Sequence, residues 1–173
     1  MPQPTLRRRS FLKLGVGSAI VLAVAGGTVA MLKPGLVNGK LSAPAREAMG
    51  KIGQALLAGL LPTEPAALQA ATEALLQRTD AFLAGLPVHV LAELDQLLGL
   101  LLSAPGRRFL LGLSASWGEA SVEQTRDALQ SMRESGMALR IQAYQGLHDI
   151  VFVPYFSGEE SWAVIGYPGP RPV

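Results

Sequence analysis

Prolines, glycines and capping residues divide residues 43–152 into helix-length segments, and this punctuation constrains the fold most strongly. Pro62, Pro87 and Pro105 interrupt the pattern, and Ser121 with Gln124 forms a capping box. No alternating strand pattern with hairpin turns appears, so the sequence predicts an all-α fold, a small bundle of about five to six helices. Apolar residues recur at helical spacing in segments 43–61, 64–78, 88–102, 121–134 and 137–151, with short helical turns at 80–86 and 107–113.

A basic motif followed by an uncharged run opens the chain. Arg8 and Arg9 precede Phe11, Leu12 and Lys13, and no charged residue occurs in residues 14–32. This arrangement resembles a bacterial twin-arginine export signal. The run contains several glycines and is therefore less apolar than most membrane-spanning helices. Residues 1–30 are predicted to be a signal helix, and the twin-arginine translocase is a predicted partner.

The leader leaves two alternatives open. The match to the export consensus has one departure, because Arg7 stands where the consensus has Ser or Thr. A small-x-small pattern ending at Ala30 predicts cleavage after that residue, and an uncleaved N-terminal membrane anchor is the alternative. Both outcomes place the protein in the periplasm or at the periplasmic face of the inner membrane.

The basic character of the chain comes from this leader. Four of the fifteen Lys and Arg residues lie in it, whereas all thirteen Asp and Glu residues lie beyond it, so the remainder has a net charge of −2. A slightly acidic domain gives no reason to expect nucleic acid as a partner. The chain has no Cys, which excludes disulfides, cysteine-ligated iron–sulfur clusters and c-type haem.

Few residues could carry chemistry. His89, at a helix start, is interpreted as a surface or capping residue, and His148 as a structural residue on an apolar stripe. No carboxylates have metal-ligand spacing, and Glu159 and Glu160 are expected in a solvated loop. The sequence predicts no catalytic residue, no metal site and no cofactor bound by this chain, and hence a protein that is not itself an enzyme.

Three segments have distinctive compositions. Residues 31–45 are rich in Pro and Gly and are predicted to be a linker, which leaves 46–152 as the helical domain. Residues 88–102 are apolar nearly all round, so this helix should be central or lie under a partner. Residues 153–173 are predicted to form an extended Pro/aromatic tail over the protein's own surface or a partner's. The candidate partner-interface residues are Tyr155, Phe156, Trp162, Ile165, Gly166, Tyr167, Pro168, Gly169 and Pro170.

The two ends of the chain also resemble a known family. The leader, the sequence Leu60-Leu61-Pro62 after an early helix, and the ending Trp162-Ala163-Val164-Ile165-Gly166-Tyr167-Pro168-Gly169-Pro170 are similar to gluconate 2-dehydrogenase subunit 3. The resemblance implies an accessory small subunit of a flavin-dependent dehydrogenase of the glucose-methanol-choline type. Such a subunit supplies the export signal and assists maturation of the large subunit, which holds FAD. A cytochrome c subunit is often a further partner.

The resemblance is loose between the two ends. The family commonly has a His-Pro-x-Tyr-Gly-Gly-Asn stretch before the terminal Trp, of which this chain keeps Pro154, an aromatic residue and Gly158. The substrate of the partner enzyme is therefore open among a sugar, a sugar acid and an alcohol. The alternative function is an autonomous periplasmic or membrane-anchored helical domain that binds a small apolar ligand between its leucine-rich helices.

Overall fold

In the part of the chain that the structure describes, six α-helices form the body of the protein and confirm the all-α class. A computed structural model describes residues 32–162, 164 and 166–169, so the proposed signal helix lies outside the described residues. A two-stranded antiparallel hairpin precedes the helices, and a 3₁₀ helix, Glu159–Ser161, follows them. The elements are β1 Leu36–Val37, β2 Lys40–Leu41, α1 Ala43–Leu56, α2 Pro65–Ala84, α3 Val88–Leu102, α4 Ala104–Leu111, α5 Val122–Arg133 and α6 Ala138–Phe156.

Helix α1 is central, because it packs against α2, α3, α5 and α6. Small residues on α1 allow this close packing: a Cβ on Gly53 would lie 2.7 Å from the Leu75 side chain of α2. The apolar side chains of all six helices meet in one core, whose burial provides the main stabilisation of the fold. Its largest fully buried members are Met49, Ile52, Leu57, Leu75, Leu83, Leu98, Leu101, Leu111, Leu129, Met132, Leu147 and Val151.

The hairpin lies within the segment that was predicted to be a linker. Asn38 and Gly39 both have positive φ, as the tight turn of a two-residue hairpin requires. The Leu36 N–H donates to Asp95 Oδ1 at 2.7 Å, and the Leu41 N–H donates to Asp80 Oδ1 at 2.8 Å. Carboxylates on α3 and α2 thus anchor both strands, and the segment is bound to the helices rather than acting as a free tether.

Two predicted helix ends moved because of backbone effects. Helix α1 ends at Leu56 instead of residue 61, since Gly59 turns the chain with φ of +87°. Helix α2 continues to Ala84 and absorbs the turn predicted at 80–86. Its N-cap is Glu64, whose carboxylate accepts hydrogen bonds from the Ala66 and Ala67 N–H groups at 3.0 and 2.7 Å.

Two further helices start or end differently from the prediction. Helix α4 begins at Ala104, because the Ser103 side chain caps it. Pro105 fits in the first turn, where a backbone N–H would have no acceptor within the helix. Helix α6 passes through Pro154 and ends at Phe156, so the start of the predicted extended tail is helical. Pro154 has no N–H to donate to the Ile150 carbonyl, and the hydroxyl of Thr79 lies 3.5 Å from that carbonyl oxygen. Helix α3 and the capping box of α5 match the sequence prediction.

The Glu64 cap makes the stability of α2 depend on pH. Hydrogen bonds from the Ala66 and Ala67 N–H groups lower the pKa of Glu64 below its usual value of 4.5. A carboxyl whose pKa is lower in the folded state stabilises the protein above its unfolded-state pKa, and this stabilisation is lost as pH falls through the folded-state value. We expect Glu64→Ala to lower the thermal midpoint at pH 7.

The difference between wild type and Glu64→Ala should shrink as the pH falls below 4.5 and vanish once the wild-type carboxyl is protonated. Thermal unfolding followed by circular dichroism across this pH range measures it. Glu123→Ala, in the first turn of α5 where Ser121 already caps the helix, is the matched control. A difference that stays constant with pH would contradict the assigned role of the carboxylate.

Candidate partner interface

The proposed site residues fall into three groups. The export residues Arg8, Arg9, Phe11, Leu12 and Lys13 lie outside the described residues, as do Ile165 and Pro170 of the candidate interface. Tyr155 and Phe156 belong to the last turn of α6. Trp162, Gly166, Tyr167, Pro168 and Gly169 follow the 3₁₀ helix.

Tyr155 belongs to the core and not to an exposed surface. It is 5% exposed, and its hydroxyl donates to the Leu60 carbonyl at 3.1 Å, which ties the end of α6 to the turn after α1. Its ring meets Phe156 edge to face, with centroids 5.0 Å apart, and Phe156 is half-buried. Tyr155 therefore stabilises the fold, and the interface hypothesis is confined to Phe156 and the residues from Trp162 onward.

The described residues between Trp162 and Gly169, namely 162, 164 and 166–169, form a compact aromatic turn. The Tyr167 N–H donates to the Trp162 carbonyl at 2.9 Å. The two rings pack edge to face, with centroids 5.3 Å apart and an interplanar angle of 77°. Gly166 has φ of +68°, a conformation that favours glycine. A Cβ on Gly169 would lie 3.2 Å from the Trp162 ring, so the ring rests against this glycine.

This aromatic turn is only partly covered by the rest of the protein. Tyr167 is 46% exposed, Val164 is 50% exposed and Trp162 is half-buried. Ser161, at its base, is fully buried, and its hydroxyl donates to the Gly158 carbonyl at 2.6 Å. A buried base thus supports two large aromatic rings at the surface, and rings held in place in this way can bind another protein at a low entropic cost.

An aromatic ladder on α6 escaped the sequence analysis. Tyr144, His148, Phe152 and Phe156 recur every fourth residue, and neighbouring ring centroids lie 6.1, 4.1 and 5.7 Å apart. All four residues are half-buried. The four-residue spacing of aromatic rings was the available signal, because such residues share a helix face. The ladder ends at Phe156, the interface candidate on this helix.

The two histidines occupy different surroundings. His89 is exposed, as predicted. His148 stacks on Phe152 with an interplanar angle of 11°, and its side chain is 39% exposed with Nδ1 3.3 Å from Asp149 Oδ1. It lies at the edge of the apolar stripe and therefore contributes to the half-buried ladder instead of the sealed core.

Two charged side chains outside the interface, Glu119 and Arg107, have distinctive surroundings. Hydrogen bonds from the Ser116 hydroxyl and N–H lower the pKa of Glu119, with a smaller contribution from the charge of Arg107. Arg107 is 6% exposed, and its Nε has no hydrogen-bond partner among the described residues. Within residues 32–162, 164 and 166–169, no three His, Cys, Asp or Glu side chains are placed to hold a metal ion.

A polar depression of about 570 Å³ lies at the junction of α5 and α6. Its walls include Asp127, Glu134 and Arg140, and Arg140 is held by the Leu110 carbonyl at 2.7 Å and the Ser131 hydroxyl at 3.0 Å. These walls suit a polar ligand. The depression therefore gives no support to the alternative function, which requires an apolar cavity.

The hydropathy of the described helices gives one further result. No single helix in this part of the chain is both long and apolar enough to cross a membrane. Helices α3 and α4 together pass that test by length and composition, although they are bent by 98° at Ser103.

The described residues form a small α-helical bundle that carries a pair of partly exposed aromatic rings near its C-terminal end. No family model, no curated protein and no solved structure matches this chain.

Proposed function

We propose that this chain is a non-catalytic accessory subunit of a flavin-dependent dehydrogenase. It carries the twin-arginine signal, binds the catalytic subunit in the cytoplasm and assists its maturation and export. FAD belongs to the catalytic subunit, and a cytochrome c subunit joins the complex in the periplasm or at the periplasmic face of the inner membrane. The partner's substrate is a sugar, a sugar acid or an alcohol.

The observation that carries the proposal is the aromatic turn from Trp162 to Gly169. Its sequence is the most specific part of the resemblance to gluconate 2-dehydrogenase subunit 3. The exposure of Tyr167 and the half-burial of Trp162 are what an interface anchor needs, because large aromatic rings dominate the binding energy of many interfaces. A folded cargo also accounts for a twin-arginine leader on a small helical chain.

Co-purification tests the proposal. The chain is tagged in the exposed turn at Gly136, which leaves the C-terminal residues free, and is isolated from the native cell envelope. A yellow complex with a flavin absorption spectrum and a large second subunit is expected. A colourless protein without a second subunit would contradict the proposal.

The leader has a separate test in the same cells. Changing both Arg8 and Arg9 to Lys should retain this chain and the flavoprotein together in the cytoplasm, because both depend on one signal. The measurement is the distribution of both subunits between cytoplasmic and periplasmic fractions. Export of the flavoprotein despite the double substitution would exclude the escort role.

Truncating the aromatic turn should weaken the complex strongly. We expect Trp162→Ala with Tyr167→Ala to raise the dissociation constant by at least about 30-fold, since even one interface hot spot contributes about 2 kcal/mol or more, which corresponds to this factor. Isothermal titration with the purified flavoprotein measures this constant. Val164→Ala, a change at a 50% exposed residue inside the same turn, is the matched control and should change it less than about threefold.

The far-UV circular dichroism of the double variant should equal that of wild type, because both rings lie outside the six helices. Unchanged affinity of a folded double variant would exclude the aromatic turn as the interface. It would leave the co-purification result to decide whether any complex exists.

A further inference from the structure

The tip of the hairpin between β1 and β2 consists of Asn38 and Gly39. Asn38 is the only asparagine in the sequence, and a glycine follows it directly. Their φ angles are +53° and +73°, in the left-handed region that asparagine and glycine tolerate best. The turn therefore places a side-chain amide next to a backbone nitrogen whose own residue has no side chain to shield it.

The reactive groups at this tip are accessible. Asn38 is exposed, and its side-chain amide has no hydrogen-bond partner among the residues that the structure describes. The Gly39 N–H also donates no hydrogen bond within this part of the chain. A Cβ on Gly39 would meet nothing within 4 Å, so the space beside this residue is open to water.

An accessible asparagine followed by glycine can react with its own backbone, which makes asparagine a thermolabile residue. Hydroxide removes the proton from the Gly39 nitrogen, and this nitrogen attacks Cγ of Asn38. The new N–Cγ bond closes a five-membered succinimide ring, and the bond from Cγ to the amide nitrogen breaks. The amide nitrogen takes a proton from water and leaves as ammonia, which regenerates hydroxide. A side chain at residue 39 would hinder the attack, and glycine has none.

Water then opens the ring at one of its two carbonyl groups. Breaking the new N–Cγ bond leaves an aspartate at position 38 and an unchanged main chain. Breaking the bond between the ring nitrogen and the main-chain carbonyl carbon leaves an isoaspartate, in which the main chain runs through Cβ and Cγ. Both products replace a neutral amide by a carboxylate at the hairpin tip, and the reaction needs no oxidant, reductant or enzyme.

We propose that Asn38 is a site of spontaneous deamidation and that its isoaspartate product disrupts the hairpin. The two-residue loop joins Val37 and Lys40, which pair in register. An isoaspartate adds a methylene group to the main chain of this loop, and the loop length fixes the register of a hairpin. Both strands are anchored to the helices through Asp95 and Asp80, so the strands cannot shift to absorb the added length. The proposal does not rest on the proposed function.

Peptide mass mapping of the purified full-length protein tests the modification. Samples are kept at physiological temperature over a series of pH values. The peptide containing Asn38 should gain the mass difference between NH and O, and reaction in ¹⁸O-labelled water should introduce the heavy isotope. The rate should lie within about tenfold of that of a synthetic peptide of residues 34–42, because the tip is exposed. It should rise about tenfold per pH unit, because the nitrogen must lose its proton.

Asn38→Asp is the matched control for both steps. It has nearly the same shape and tolerates the same backbone conformation, but it has no amide to lose and should show no mass gain. It also represents the product with an intact main chain, so its thermal midpoint should stay within about 1 °C of wild type.

The isoaspartate form is separated from the aged protein by chromatography and identified by labelling with an isoaspartyl methyltransferase. Its thermal midpoint should lie at least about 3 °C below that of Asn38→Asp, the shift expected from loss of one anchoring hydrogen bond. Two results would overturn the proposal. An intact Asn38 in the protein, under conditions that convert the synthetic peptide, would exclude the modification. Equal midpoints of the isoaspartate form and Asn38→Asp would exclude the effect on the hairpin.

Discussion

Replacing Gly35 by alanine should lower the free energy of unfolding by about 3 kcal/mol, at the upper end of overpacking effects. Gly35 is buried where the chain crosses α3. A Cβ at this position would lie 2.3 Å from the Leu98 Cβ and 2.9 Å from the Asp95 carbonyl. Neither atom can move easily, because the Leu98 Cβ is attached directly to the backbone of α3 and the Asp95 carbonyl is part of that backbone.

The consequence should extend to the hairpin. Gly35 accepts a hydrogen bond from the Ser42 N–H at 2.9 Å, and the next residue, Leu36, donates to Asp95. A displacement at Gly35 would disturb both bonds. Urea unfolding followed by circular dichroism measures the loss. Gly136→Ala is the matched control, since a Cβ there meets nothing within 4 Å; equal stability of the two variants would exclude the close contact.

Truncating Leu147 to alanine should cost about 3 kcal/mol, within the range of 2–5 kcal/mol for buried leucines. Leu147 is 0% exposed on α6 and belongs to the central core. The loss combines the transfer free energy of the removed carbons with the cavity that remains between packed helices. The same unfolding experiment measures it.

Val153→Ala on the same helix is the control for this second prediction. Val153 is 49% exposed, so its truncation leaves no cavity and should change stability by about 0.5 kcal/mol or less. Similar losses for both variants would mean that α6 packs in a different rotation about its axis. That result would also remove the aromatic ladder from its present face.

Local signals explain the helices that the sequence analysis located correctly. Residues 88–102 lie between Pro87 and Ser103, and a continuous leucine pattern fills the interval. The reciprocal bonds of Ser121 and Gln124 define the start of α5. Both signals act over three or four residues, so they require no knowledge of the rest of the fold.

Long-range contacts explain the boundaries that it missed. Proline predicts the end of a helix, but α6 continues past Pro154. The Pro154 carbonyl accepts a hydrogen bond from Arg78 Nε of α2 at 3.0 Å. The Ile150 carbonyl, which receives no N–H from Pro154, faces the Thr79 hydroxyl instead. The hairpin became ordered through Asp80 and Asp95, which are separated from it by 39 and 59 residues.

The candidate interface also combines a local sequence signal with features that long-range packing decides. Aromatic residues and prolines make the C-terminal segment a candidate contact surface by composition alone, but composition does not tell which rings are accessible. Packing placed Tyr155 in the core through its bond to Leu60, whereas Trp162 and Tyr167 paired with each other at the surface.

The sequence by itself determined the helical class, the position of α3 and the capping of α5, because helical periodicity and capping are properties of neighbouring residues. Only the tertiary structure decided that residues 36–41 are anchored and that Tyr155 is buried. Each of these depends on which distant side chain or carbonyl meets a given group, and that is settled when the helices pack together.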